Sequence, residues 1–146
     1  MSVCLLDVNV LVALAWPNHL HHAPAKEWFA AHHADGWATC PITEGGFVRV
    51  SSNPHATPEA KSPAEALFLL RRLVALDGYH FWADDTSLVH SDLIDSHKIV
   101  GHRQVTDAHL LALALRHGGR LASFDRGLRD IVPAGTMPEE LLVILG

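Results

Sequence analysis

Cysteine is scarce: Cys4 and Cys40 are the only two in 146 residues, and both sit in apolar surroundings. Two thiols cannot build a structural zinc site unaided, and they read as reduced core residues rather than a disulfide or redox pair. Basic residues are also short, with 11 Lys and Arg against 16 Asp and Glu and a formal charge of -5. This excludes a broadly basic domain that grips nucleic acid by net charge, so a polyanion would need charge sorted by position. No uninterrupted apolar run approaches the ~18 residues of a membrane span. The opening MSVCLLDVNVLVALAW has no basic leading region and is interrupted by Asp7 and Asn9, which argues against a secretory signal. The chain therefore reads as cytoplasmic, with no membrane partner. Internal repeats and low-complexity tracts are missing as well.

What is present suits a single domain over residues 1–146, with 49% hydrophobic and 18% charged residues. The 12 histidines are counted as neutral in the charge sum, and partial protonation near pH 7 softens it. Val3 to Leu6 is a short apolar run ending at Asp7, and Val8 to Trp16 continues as a buried helix closed by Pro17. Further helices are expected over 22–33, from a Thr43 cap to Asn53, and from Ser62 and Pro63 to about Leu76, the last opened by a capping box with Glu65. The Gly45 and Gly46 pair weakens its helix and suggests a close backbone approach. Strands are expected at 37–40, 79–83, 120–124 and 141–145, a helix at 84–95, and an all-apolar helix after a Thr106 cap. Strands alternating with helices predict an α/β sandwich around a mostly parallel sheet.

Ligands of such sheets bind beyond the carboxyl ends of the strands. Four acids fall at those joints: Asp7 after the first strand, Glu44 after the second, Asp107 at the start of the apolar helix and Asp125 after the fourth strand. Each alone is an ordinary turn or first-turn acid. Together they would repel one another unless a divalent cation intervened, and hard oxygen donors in that number suit Mg²⁺ or Mn²⁺ better than zinc. Such a site can activate water and steady the leaving oxygen of a phosphodiester.

The segments LLDVNVLVAL, PITEGGFV, VTDAHLLALA and LASFD, in this order and separation, resemble the motifs of the PIN-domain ribonucleases, in particular the VapC toxins of bacterial toxin-antitoxin pairs. The likeness runs from Leu5 to Asp125. It implies a PIN-like three-layer sandwich in which Asp7, Glu44, Asp107 and Asp125 form the catalytic, metal-binding pocket. Asp7 and Asp107 would be direct ligands; Glu44 and Asp125 would complete the site directly or through water. Asn9 and Thr43 match positions that support the pocket by hydrogen bonding, and Ser123 is placed to do the same. The resemblance further implies Mg²⁺-dependent hydrolysis of RNA, with Mn²⁺ able to substitute, and silencing by a cognate VapB-type antitoxin. A homodimer is expected from it and from the apolar stripe along residues 64–76. Residues 53–100 carry little of the pattern, so the choice of RNA is not legible.

Two other readings remain at this point. A phosphohydrolase of haloacid-dehalogenase type would use Asp7 as nucleophile, but needs a second Asp where this chain has Asn9. A non-catalytic module would bind metal or RNA without cutting. Lys98, His102 and Arg103 lead into Asp107, and Arg126 and Arg129 follow Asp125, so these five are expected as phosphate contacts on a rim. His19, His21 and His22 lack the spacing of a metal site and read as a solvated turn. His109 is expected on a different face from Asp107.

Overall fold

Short apolar runs closed by a polar or small residue form the strands, and helices begin where a capping side chain or a proline permits. The computed structural model describes residues 2–146. In chain order the elements are β1 (Cys4–Leu6), α1 (Val8–Ala15), α2 (His22–His32), β2 (Trp37–Thr39), α3 (Pro41–Ser51), α4 (Pro63–Val74), β3 (Tyr79–Phe81), α5 (Val105–Arg116), β4 (Arg120–Ser123), α6 (Pro138–Leu141) and β5 (Leu142–Ile144). The strand order is β3-β2-β1-β4-β5, and every neighbouring pair is parallel. The expected three-layer α/β sandwich is formed, with a sheet that is wholly rather than mostly parallel.

A parallel sheet is covered on both faces, so its strands run apolar without alternation. Cys4 and Leu6 of β1 pack with Val10, Phe47 and Leu70 from α1, α3 and α4, whereas Leu5 faces Leu111 and Leu113 of α5. Helix α5 is as deeply packed as its composition requires, with Leu110 to Ala114 at 1% exposure or less. Close approach also explains one of the paired glycines: a Cβ on Gly46 would lie 2.5 Å from Val8 Cγ2, so α3 rests directly on the first turn of α1. Gly45 has no comparable contact, its nearest neighbour being the Arg49 side chain at 4.0 Å.

The chain builds β1, β2 and β3 outward in one direction, then returns to place β4 and β5 on the other side of β1. The reversal lies between β1 and β4, and crevices for ligands open beyond the carboxyl ends of strands at such a point. Asp7 follows β1 and Asp125 follows β4, so the topology sets these two acids side by side.

Several expectations need correction. Residues 84–95 form no helix: Ser87, Ser91 and Asp95 each accept a backbone N–H two residues on, from Val89, Leu93 and His97, and these local turns displace the helical ladder. The segment is instead strapped to α5, where His109 Nε2 meets Asp84 at 2.6 Å and His117 Nε2 meets Asp85 at 3.1 Å. Helix α5 starts one residue before Thr106, with Gln104 at the cap. Helix α3 starts at Pro41 rather than after Thr43. The capping box of α4 forms as expected, with Glu65 N–H donating to Ser62 Oγ and Ser62 N–H to Glu65 Oε1, both at 3.2 Å. Helix α6, a single turn begun by Pro138, had no counterpart in the sequence reading. Among the described residues no helix is long and apolar enough to cross a membrane.

Candidate active site

Asp7 is the residue at which β1 becomes α1. Its backbone N–H continues the sheet by donating to Ala122 O at 3.0 Å, and its Oδ1 caps α1 by accepting Val8 N–H at 2.8 Å. The other carboxylate oxygen, Oδ2, accepts the Ser123 hydroxyl at 2.8 Å from the end of β4. Ser123 is fully buried and its oxygen also accepts Asp125 N–H at 3.0 Å and Asn9 Nδ2–H at 3.1 Å. Asn9 returns a contact to β4 by accepting Phe124 N–H at 3.3 Å. Ser123 and Asn9 thus brace the two acids on either side of the strand-order reversal.

Asp107 enters from the first turn of α5, and Asp125 caps the following 3₁₀ turn by accepting Gly127 N–H at 2.8 Å. Asp7, Asp107 and Asp125 line one cleft of about 380 Å³, with Val8, Asn9, Val12, His19 and Val50. Burial, then the Asp7 charge and the Asp125 charge, push the Asp107 carboxyl up to about 6. Asp7 is also raised, by burial first and by Asp125 last, although Ser123 and Val8 N–H pull it down. The Asp7 and Asp125 charges therefore add to burial in resisting the ionisation of Asp107, and the Asp125 charge does the same at Asp7.

Glu44 is placed differently. Its Oε2 accepts the Thr39 hydroxyl at 2.7 Å, and the Tyr79 hydroxyl lies 3.4 Å from the same oxygen and 2.7 Å from Thr39 Oγ1. Burial, and more weakly the Glu44 charge, raise the Tyr79 hydroxyl. Glu44 does not line the cleft, and it is not among the charges that perturb Asp7 or Asp107. Thr43 is fully buried and serves its own helix, accepting Cys40 N–H at 3.0 Å and donating to Cys40 O at 3.1 Å, so its support of the pocket is confined to fixing the start of α3.

The hard-oxygen set fits a divalent cation by charge and donor type, because a cation would relieve the repulsion that raises Asp107. The side chains bracket the cleft rather than converge: among the described residues no group of three His, Cys, Asp or Glu is already gathered to hold an ion.

The rim residues divide. His102 and Arg103 are exposed on a 3₁₀ turn that leads into α5, close in the chain to Asp107. Lys98 is committed elsewhere, its Nζ donating to Val132 O at 2.7 Å, and Arg126 donates to Gly146 O at 3.2 Å. His109 is held by Asp84, away from the cleft. The histidine turn is not merely solvated: His19 is half-buried in the cleft wall, a place four residues beyond the end of α1 that only the packing of the turn reveals.

Comparison with known proteins gives a family and close relatives. The family model "PIN domain" matches residues 4–132. The chain is 54% identical over 144 residues to Ribonuclease VapC38 of Mycobacterium tuberculosis, covering 98% of this chain and all of the relative. It is 50% identical over 131 residues to Ribonuclease VapC39 of the same organism, covering 90% of this chain and 94% of the relative. To Ribonuclease VapC44 it is 40% identical over 140 residues, with 96% and 98% covered.

Proposed function

The chain belongs to the PIN-domain family, and from that premise we propose that it is a metal-dependent endoribonuclease, the toxin of a type II toxin-antitoxin pair. The observation that carries this reading is the meeting of Asp7, Asp107 and Asp125, from three separate elements, in one cleft at the strand-order reversal. Asp7 and Asp107 would hold Mg²⁺, or Mn²⁺ in its place, with Asp125 and Glu44 completing the site directly or through water. When bound there, such an ion supplies Lewis-acid stabilisation of phosphate charge and makes a water nucleophile accessible near neutral pH. Ser123 and the start of α1 hold the Asp7 carboxylate in one orientation, because Oδ2 accepts the Ser123 hydroxyl while Oδ1 accepts Val8 N–H. Asp107, raised to about 6 in the metal-free chain, would be drawn back to the ionised form by a bound cation and so serve as a ligand. His102 and Arg103 would contact RNA phosphates as positioning charges; Lys98 and Arg126 would first have to leave their carbonyl partners.

The haloacid-dehalogenase alternative is not favoured. Asn9 occupies the place of its second acid and is engaged in bracing Ser123 and Phe124. The proposed setting is the cytoplasm, with a VapB-type antitoxin whose basic side chain enters the acidic cleft. A homodimer through the α4 face follows from Leu67, Phe68 and Leu76, large apolar residues that remain exposed. The test of the central reading is cleavage of total cellular RNA by the purified chain with Mg²⁺. Asp7→Asn and Asp107→Asn should each abolish it with the fold intact, and EDTA should abolish it in the unaltered chain. Full cleavage by either variant would overturn the reading.

A further inference from the structure

We propose that the pocket on the far side of His19 is a subsite for the nucleotide flanking the scissile phosphate, with His19 as the positioning residue at the joint. The proposal rests on the endoribonuclease reading above. A second pocket of about 160 Å³ shares Val12, His19 and Val50 with the carboxylate cleft and continues to Trp16, Ala56 and Thr57. A phosphodiester carries a nucleoside on each side, so a strand whose phosphate sits at Asp7, Asp107 and Asp125 must send a ribose and base into adjoining space. The shared wall makes this pocket such a space.

Its chemistry suits a base rather than a phosphate. Two polar side chains of the wall are already satisfied internally: Trp16 Nε1–H donates to Ser51 Oγ at 3.2 Å, and Thr57 Oγ1 donates to Val50 O at 2.8 Å. With Val12, Val50, Ala56 and Pro58 they make a largely apolar trough, whose remaining polar groups are the Asn18 amide and the His19 imidazole. His21 N–H donates to His19 Nδ1 at 3.0 Å, so the neutral ring carries its proton on Nε2 and has one hydrogen bond to give. The turn that carries the ring is fixed by its backbone. His19 N–H donates to Trp16 O and His22 N–H to His19 O, both at 3.0 Å. The neighbouring His21 ring stacks on Phe124, next to Asp125, with centroids 4.6 Å apart. The His19 ring, its centroid 5.8 Å from that of His21, is itself a flat aromatic surface in the trough wall, and unpaired bases stack on such surfaces with little dependence on their identity.

Two variants and one binding experiment test this. Ala56 is exposed, so Ala56→Trp fills the pocket without disturbing the core, and His19→Gln removes the ring while keeping a donor. In the isotope-labelled chain with EDTA, titration with each of the four nucleoside 5′-monophosphates should shift the His19 ring and the Ala56 and Thr57 amides. Ala56→Trp should lose those shifts. With Mg²⁺ and RNA, both variants should raise KM about tenfold, as the loss of one base stack requires, with kcat changed far less and the sequenced cleavage ends altered in flanking-base preference. If both variants keep KM and cleavage ends unchanged while Asp107→Asn still abolishes cleavage, the subsite is overturned and the endoribonuclease reading stands. Nucleotide shifts confined to another surface would overturn it in the same way. Cleavage that survives every carboxylate substitution would overturn both.

Discussion

Replacing Asp107 by Asn should make the metal-free protein more stable at neutral pH, although it removes a residue proposed to be essential for activity. The Asp107 carboxyl lies at about 6 in the folded chain and near 3.9 when unfolded. Between those values the folded state binds more protons than the unfolded state, so stability falls as pH rises through that window and the penalty is complete above it. A shift of about two units corresponds to ~3 kcal/mol. Asp107 is only half-buried, and halving the figure for solvent screening leaves about 1.5 kcal/mol. The α5 dipole opposes this, because a carboxylate in the first helical turn contributes about 0.5 kcal/mol that Asn forfeits. The net gain expected for Asp107→Asn is about 1 kcal/mol at pH 7.5, or about 3 °C in Tm, shrinking to nothing by about pH 4. Urea denaturation in EDTA across that range measures it. Added Mg²⁺ should reverse the order, stabilising the unaltered chain more than the variant. A variant equally or less stable at pH 7.5 in EDTA would show that burial and the neighbouring Asp7 and Asp125 charges do not penalise the Asp107 carboxylate as its placement requires.

Other outcomes follow from particular contacts. Ser123→Ala leaves Asp125 N–H without its acceptor and Asp7 Oδ2 without its donor in a fully buried place, which should cost about 1–3 kcal/mol in urea and lower kcat more than it raises KM. Gly46→Ala forces a methyl against Val8 Cγ2 and should cost about 1–3 kcal/mol; Val8→Ala in the same chain should restore part of it, and a strictly additive double-mutant cycle would deny the contact. Phe68 is 58% exposed on the α4 face, so Phe68→Glu should leave the melting temperature within a few degrees while converting the proposed dimer to a monomer by light scattering. An unchanged mass would remove α4 from the interface.

The four candidate acids stood out because Asp7 and Asp125 follow strands while Glu44 and Asp107 stand in the first turns of helices, and such joints face the ligand edge of a parallel sheet. The same local rules found the α4 capping box and the close approach at Gly46. They failed at residues 84–95, where apolar Leu88, Leu93 and Ile94 have helical spacing but Ser87, Ser91 and Asp95 bond their own backbone instead. They also failed at His19, whose type and spacing match no ligand pattern. Its place in the cleft wall comes from a turn docked by His21 on Phe124, more than a hundred residues away in the chain.

Composition and spacing by themselves determined the α/β class and a mostly parallel sheet and singled out four candidate acids, because burial on both faces demands apolar strands and those acids fall at the joints between elements. The tertiary structure decided how the acids divide. Strand order puts Asp7 and Asp125 on either side of the reversal and the docking of α5 adds Asp107, while Thr39 and Tyr79 draw Glu44 toward their hydroxyls. Which carboxylates share a field depends on through-space distance and burial, and neither quantity is a property of position along the chain.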